Sequence, residues 1–348
     1  MALVMVQGHA LDSLLHASIR AAPLYELQAV FHGSTAPGFL FASGFVAGLP
    51  RAPLSMKAGV RRARRLLFVL AVGYALHLPY WSVWKTALQA TAEERMALYA
   101  CEALQVIAVT QMFVLALQWA AGRKWVEAAA VTALVILAAG PGVWASGLST
   151  SVHPALGAYL DVTRGSHFPS FPFSAFVLAG AVAGAAVGRQ EPAVRRRRAV
   201  LGGLGLLVLG LALAPLTGRY VDFWGVSPAY TLVRLGGLLL LLRVVEAAAE
   251  HGLPGTGALG LLGHETLLVY VLHLQLLYGT VAGPAHLREW AGTLGLGAAA
   301  SVLGLMVPVL LGAAWLWHRF KVRNPHEASL VLVFLGTAFV WEFLTRPW

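Results

Sequence analysis

Apolar residues follow one another along this chain in long blocks, and short polar or charged stretches separate the blocks. A helix needs about 20 apolar residues to cross the hydrocarbon core of a bilayer, and blocks of that length recur from one end to the other. The pattern predicts eleven membrane-spanning helices, at 1–15, 34–50, 66–84, 99–121, 125–144, 169–188, 199–217, 229–249, 261–281, 292–316 and 328–345. The predicted fold class is therefore all-α: a polytopic membrane helix bundle, with residues 1–348 as a single integral membrane domain.

The composition agrees with a membrane protein. Apolar residues make up 58% of the 348 residues and charged residues only 11%, whereas soluble proteins carry about 25% charged residues. The single cysteine, Cys101, cannot form an intrachain disulfide. Cys and His residues do not show the spacing of a metal site, so we expect no metal.

The net charge of +10 would suit a nucleic-acid-binding protein, but the positions of the charges argue against that class. Basic residues form short runs between apolar segments, at 61–65, 123–124, 195–198 and 319–323. Such runs mark cytoplasmic loops, and all four fall on one side of the membrane if the first helix runs outward. We therefore predict a cytoplasmic N-terminus, an external C-terminus and no nucleic-acid partner.

Ionisable residues within the apolar segments are the candidate functional residues. In the first segment His9, Asp12 and His16 are spaced i, i+3 and i+7, so a helix places them on one face. A carboxylate beside an imidazole can orient it as a general base, and ionisable groups in membrane helices usually serve function. Alternatively, these groups bond neighbouring helices or lie in the headgroup layer.

The stretch FHGSTAPGFLFASGF at residues 31–45 places His32 at the predicted external mouth of the second segment. His32 and His9 can then meet in one cavity, or His32 is a loop histidine in water. The glycines of this segment, such as Gly44, indicate close helix packing.

Other polar residues lie deeper in the predicted spans. Tyr270 and His273 share one face of the ninth segment, Glu102 belongs to the fourth and Arg234 to the eighth. Each is a cavity candidate or a structural hydrogen-bonding group, and Glu102 with Arg234 is a candidate buried pair.

The run RRARR contains Arg61, Arg62, Arg64 and Arg65. It either sets orientation alone or also binds a phosphorylated cytoplasmic ligand, because arginine binds phosphate through two parallel hydrogen bonds. No P-loop or dinucleotide-binding glycine fingerprint accompanies it.

Five blocks carry a family resemblance: MVQGHALDSLL, FHGSTAPGFLFASGF, CEALQVIAVTQMFVLAL, FPSFPFSAFVLAGAVAG and LGHETLLVYVLHLQLLY. In this order they resemble the bacterial relatives of heparan-alpha-glucosaminide N-acetyltransferase, within the wider transmembrane acyltransferases. The resemblance implies eleven helices, a cytoplasmic acetyl-CoA or other acyl-CoA donor, and a sugar hydroxyl or amine as the acceptor on the outer side.

The same resemblance implies roles for particular residues. His9 and Asp12 match the family's His and Asp three residues apart, and Tyr270 to His273 match its YVLH. His32 precedes the Ala-Pro of the second helix at one residue more than is usual. The usual basic start before the first helix is absent.

Together these features predict an acyl-CoA-dependent acyltransferase in a bacterial cytoplasmic (inner) membrane. Its catalytic residues would be His9, Asp12 and His32, and Arg61, Arg62, Arg64 and Arg65 would bind the donor. Its expected partners are the bilayer and a glycan acceptor, with a homodimer as one possible assembly. The alternatives are a proton-coupled transporter or glycan or lipid flippase using the same polar cavity, and a non-catalytic scaffold.

Overall fold

The structure is a computed structural model that describes residues 1–50, 54–187, 190–217, 225–280 and 287–347. Residues 188 and 281, at the ends of two predicted segments, lie outside the described residues. Contacts divide the chain into two compact units, and each unit is built from separate stretches of chain.

The described part of the chain is helical apart from short connections, and Leu15 and Leu294 form an isolated bridge between extended residues. The α-helices are α1 (Ala2–Leu14), α2 (Ala17–Arg20), α3 (Pro23–His32), α4 (Thr35–Gly48), α5 (Met56–Ala75), α6 (Val83–Gln89), α7 (Ala92–Tyr99), α8 (Ala103–Ala120), α9 (Trp125–Ala145), α10 (Leu148–Ser151), α11 (Pro154–Gly157), α12 (Ser170–Ala186), α13 (Pro192–Thr217), α14 (Pro228–Glu250), α15 (Thr256–His264), α16 (Thr266–Tyr278), α17 (Leu296–Arg323) and α18 (Pro325–Thr345). Short 3-10 helices lie at Gly122–Lys124, Val162–Arg164 and Arg288–Trp290.

Each of the eleven predicted segments overlaps a helix or a bent helix pair. Five helices in the described residues are long and apolar enough to cross a membrane: α8, α9 with the preceding 3-10 turn, α13, α17 and α18. The pair α15 and α16 adds a sixth if it counts as one span bent by 81°, and α4 and α12 are shorter apolar helices. The all-helical membrane fold is confirmed, whereas the count of eleven and the cytoplasmic N-terminus stay predictions.

The third predicted segment, 66–84, has the wrong bounds. The helix α5 begins at Met56 and ends at Ala75, so the arginine run is helical. Arginine is a good helix former, and its long side chain can reach polar surroundings from a helix, so a basic run need not end one. Pro79 lies in the non-helical residues that follow, where it cannot continue a helix.

The first unit comprises Met1–Thr35, Leu76–Arg95 and His251–Trp348. Here α1 packs against α3, α16 and α17. The end of α1 is held by backbone bonds, because Leu294 N donates to the Leu14 carbonyl and Gly292 N donates to the Ser13 carbonyl. These contacts place the histidine-bearing face of α1 against α16 and α3.

At the junction of α15 and α16, the buried carboxylate of Glu265 receives two hydrogen bonds from α17. His318 Nδ1 lies 2.8 Å from Glu265 Oε1, and Lys321 Nζ lies 2.6 Å from the same oxygen. This charge-assisted pairing holds the residue at the bend against α17.

The second unit comprises Ala36–Ala75 and Met96–Glu250. Its core contains Leu40 and Phe41 of α4, Val106 of α8, and Phe176 and Val177 of α12. In this unit α13 packs along α14, α9 along α12, and α5 along α8.

Candidate functional site

Three histidines meet within the first unit, one from each of α1, α3 and α16. His9 Nδ1 lies 2.8 Å from His273 Nε2, and the two rings lie side by side, with centroids 5.1 Å apart and planes inclined by 16°. The ring of His32 meets that of His9 edge-on, with a centroid distance of 5.5 Å. His9 and His32 are half-buried, whereas His273 has 0% exposure.

The hydrogen bonds of this cluster fix which nitrogen of His9 is basic. His273 Nδ1 lies 2.9 Å from the Val269 carbonyl, which can only accept, so Nδ1 carries a proton. In the neutral ring His273 Nε2 is then an acceptor, and His9 Nδ1 donates to it. The proton of neutral His9 therefore sits on Nδ1, and its Nε2 is the basic nitrogen.

His32 approaches α1 through a gap that only glycine leaves. A Cβ atom built on Gly8 would lie 1.6 Å from His32 Nδ1. The imidazole also forms a hydrogen bond with the Val4 backbone, while its buried Nδ1 has no partner among the described residues. Gly8 is therefore what allows His32 to join His9.

His32 lies beside the first half of α1. Helix α3 runs antiparallel to α1, because its Tyr25 lies beside Asp12 and its His32 lies beside Gly8 and Val4. His32 is therefore level with the first half of α1, and it also lies just before Thr35, where α4 begins. His32 reaches this position because α3, residues 23–32, runs back along α1.

Asp12 has partners other than the ones predicted for it. The Tyr25 hydroxyl donates to Asp12 Oδ1 over 3.2 Å, and Arg20 Nη1 lies 3.6 Å from the same oxygen. The Asp12 side chain is 60% exposed. We expected Asp12 to orient the imidazole of His9, but His9 Nδ1 is hydrogen-bonded to His273.

Two tyrosines of α16 border the cluster. The rings of Tyr270 and His273 meet edge-on at 5.6 Å. The Tyr278 hydroxyl donates to the His9 carbonyl over 3.4 Å, and its ring centroid lies 6.3 Å from that of His9. Sequence reasoning did not single out Tyr278, although it lies on the same helix as His273.

In the second unit, the four arginines of the RRARR run lie on α5. Arg61, Arg64 and Arg65 are exposed. Arg62 is half-buried and donates from Nη1 to Gln118 Oε1 of α8 over 3.3 Å. Three of the four guanidinium groups are thus open to a ligand or to the membrane surface.

The predicted pair of Glu102 and Arg234 is wrong, because each has another partner. Glu102 Oε1 lies 2.6 Å from His167 Nδ1, and Arg234 stacks over the Tyr230 ring at 4.2 Å. Glu102 precedes the first residue of α8 and faces the loop that carries His167, whereas Arg234 is buried within α14.

His167 is a candidate that the sequence did not reveal. Its side chain is 76% exposed, whereas that of Glu102 is only 12% exposed. The hydrogen bond to Glu102 and the negative charge of that carboxylate raise the pKa of His167. Cys101 N also donates to Ser166 Oγ, and Phe168 N donates to the Cys101 carbonyl, so the loop is held in place.

Within the described ranges, no group of three or more His, Cys, Asp or Glu side chains is arranged to hold a metal ion.

Comparison with family models gives a match over the N-terminal part of the chain. The family model described as heparan-alpha-glucosaminide N-acetyltransferase, catalytic, matches residues 1–209. No curated protein and no solved structure matches the chain significantly. The match covers more than half of the 348 residues, including the segments that contain His9, His32 and the α5 arginines. The chain therefore belongs to the heparan-alpha-glucosaminide N-acetyltransferase family.

Proposed function

We propose that this membrane protein transfers an acetyl or other acyl group from cytoplasmic acyl-CoA to a hydroxyl or amine of an extracytoplasmic sugar or glycan. The family match supports acetyl transfer over the transporter and flippase alternatives. The observation that carries the proposal is the hydrogen-bonded chain from the Val269 carbonyl through His273 to His9.

In this proposal His9 is the general base. Its Nε2 takes the proton from the acceptor O–H or N–H as the acceptor oxygen or nitrogen bonds to the acyl carbon. The carbon–sulfur bond of the thioester breaks, and the departing CoA thiolate takes the proton from the His9 imidazolium, which returns His9 to its neutral form. His273 holds the Nδ1 proton of His9 and accepts a stronger hydrogen bond as the imidazolium forms.

The other candidate residues have supporting tasks. His32 lies edge-on to His9 and positions the acceptor. Asp12, exposed beside Tyr25 and Arg20, acts at the acceptor entrance. Arg61, Arg62, Arg64 and Arg65 bind the phosphates of the donor, for which guanidinium groups are well suited.

The test is acetyl transfer from acetyl-CoA to glucosamine, a probe that offers both an amine and hydroxyls. His9→Gln removes the basic nitrogen, so we expect the transfer rate to fall by about 10²- to 10⁴-fold, the usual contribution of a general base. Affinity for acetyl-CoA should stay within about twofold, because the substitution lies outside the proposed donor site.

The matched control is His16→Asn, because His16 caps α2 by accepting from Ser18 N and an asparagine can do the same. That variant should transfer at the wild-type rate. Wild-type turnover by His9→Gln would remove His9 from the mechanism, and failure of the wild-type protein to bind acetyl-CoA would overturn the proposed function.

A further inference from the structure

A buried side-chain amide without hydrogen bonds lies between α5 and α8. Gln105 of α8 has 0% exposure, and neither its Nε2 nor its Oε1 has a hydrogen-bond partner among the described residues. Burying an amide without partners is costly, most of all within a membrane. The side chain carries both a donor and an acceptor, so a ligand with amide groups can satisfy it completely.

The Gln105 amide faces Gly73 of α5, so no α5 side chain lies between the amide and the α5 backbone. A Cβ atom built on Gly73 would lie 2.9 Å from Gln105 Oε1 and 3.0 Å from Gln105 Cδ. Glycine therefore leaves the amide directly against the backbone of α5, and a larger residue would displace it.

We call the line of contact between α5 and α8 the seam. The arginine run of α5 lies along this seam, at some distance from Gln105. The two helices are antiparallel, because Arg62 of α5 bonds Gln118 of α8 while Gly73 faces Gln105. Along the helix axis Gln105 lies about 16 to 20 Å from that arginine contact, at a rise of about 1.5 Å per residue. This separation is comparable to the extended pantetheine arm of CoA, which carries two secondary amides between its diphosphate and its sulfur.

We infer that Gln105 is the donor-binding residue that hydrogen-bonds a pantetheine amide of acyl-CoA in the seam between α5 and α8. The inference rests on the proposed function, in which the α5 arginines bind the donor phosphates. Gln105 Nε2 donates to one pantetheine carbonyl, and Oε1 accepts from a pantetheine N–H. Because Gln105 is fully buried here, α5 and α8 part locally around Gly73 when the arm enters.

The test compares two ligands on one variant. Coenzyme A contains the pantetheine arm, whereas adenosine 3′,5′-bisphosphate carries phosphates but lacks it. Gln105→Leu should weaken CoA binding by about tenfold and leave adenosine 3′,5′-bisphosphate binding unchanged. The same variant should unfold at a higher temperature than the wild type, because leucine removes the unsatisfied amide.

The matched control is Thr110→Val, which removes another buried polar group from α8. The Thr110 hydroxyl bonds Ser174 Oγ over 2.8 Å, so its loss should lower thermal stability and leave both affinities unchanged. This control separates a contact with the arm from a general weakening of α8.

The outcomes are distinguishable. If Gln105→Leu binds CoA as the wild type does, the inference is overturned and the proposed function stands, as expected if a buried water satisfies the amide. Equal weakening of both ligands in that variant would also overturn the inference. If the wild-type protein binds neither ligand, the proposed function fails, and the inference fails with it.

Discussion

At the scale of single residues, the chemistry of His9 depends on a partner 264 positions away in sequence. The Val269 carbonyl fixes His273 as a hydrogen-bond acceptor toward His9, and this leaves Nε2 of His9 as the base. A neighbour that orients a catalytic imidazole acts on the rate of transfer more than on substrate affinity.

His273→Leu should therefore lower kcat by about 10- to 100-fold with little change in the KM for acetyl-CoA. Leucine cannot accept a hydrogen bond from His9 Nδ1, so the tautomer of the His9 ring is no longer fixed. His273→Gln is the comparison variant, because its side-chain oxygen can accept from His9, and it should retain more activity. Steady-state kinetics of both variants test this role, and equal kcat for leucine and wild type would contradict it.

The pairing of His167 with Glu102 makes stability depend on pH in a defined direction. The pKa of His167 is raised in the folded protein, so its ion pair stabilises fully below the unfolded pKa of about 6.5. That stabilisation is lost as the pH rises through the higher folded pKa. The thermal midpoint of wild type should exceed that of Glu102→Gln at pH 5.5, and the difference should shrink by pH 8.5.

His167→Gln is the comparison variant for that measurement, because it removes the imidazole and keeps Glu102. In the His167→Gln background, the further substitution Glu102→Gln should shift the thermal midpoint by nearly the same amount at both pH values. A constant difference for Glu102→Gln across the same range would contradict the pairing.

The sequence singled out the three histidines that cluster in the structure, but it did not predict their partners. His9, His32 and His273 stand out because polar groups are rare in apolar segments. Their meeting depends on the return of α3 along α1 and on the packing of α16, which no local spacing shows. His167 escaped notice because a loop histidine looks like an ordinary solvent-exposed residue until Glu102 is seen beside it.

At the scale of elements, α4 and α12 pack backbone to backbone through two glycines on each helix. A Cβ atom would lie 1.9 Å from the Val177 carbonyl oxygen if built on Gly44, and 2.0 Å from the Phe41 carbonyl oxygen if built on Gly180. Gly48 and Gly184, four residues further along each helix, make similar contacts. This is the small-residue packing that membrane helices use for close approach.

Gly180→Ala should destabilise the fold by about 1–3 kcal/mol or more, because the added methyl group meets rigid backbone. Gly205→Ala in α13 is the control, since a Cβ there meets nothing within 4 Å. Alanine also favours a helix over glycine, so the control should be neutral or slightly stabilising. Thermal unfolding in detergent measures both, and similar midpoints for the two variants would contradict the packing.

Element positions were largely predictable because the apolar blocks are long. The bounds of α5 were not, since hydropathy placed the helix start after the arginines, whereas arginine continues a helix readily. The break at Glu265 was also missed, because the partners of Glu265 lie on α17, more than 50 residues away in sequence.

At the scale of the whole molecule, the arginine run of α5 has two proposed roles. It sets the orientation of the chain in the membrane, and it binds the phosphates of the donor. Replacing Arg61, Arg62, Arg64 and Arg65 together with Gln should weaken acetyl-CoA binding by at least about tenfold, because charge-assisted phosphate contacts are lost. The binding of wild type should also weaken as salt rises, because salt screens exposed charges. Equilibrium binding in nanodiscs measures both effects.

If the quadruple variant binds acetyl-CoA as tightly as wild type does, the arginines do not bind the donor and serve only to orient the chain in the membrane. Because four lost charges can also invert a segment, the side of the membrane reached by a tag at the N-terminus must be checked in the same preparation. Replacing Arg195, Arg196, Arg197 and Arg198 is the matched control, since it removes four charges from a different helix.

The proposed reaction is tested most directly by acetyl transfer across a sealed membrane. The protein is reconstituted into proteoliposomes, and only molecules with the cytoplasmic side outward are counted. Acetyl-CoA is added outside and glucosamine is enclosed inside. Acetylated glucosamine should accumulate inside with wild type and be nearly absent with His9→Gln. The proposed reaction would be contradicted by acetylation only when both substrates are on one side, by release of unmodified glucosamine, or by equal product with His9→Gln.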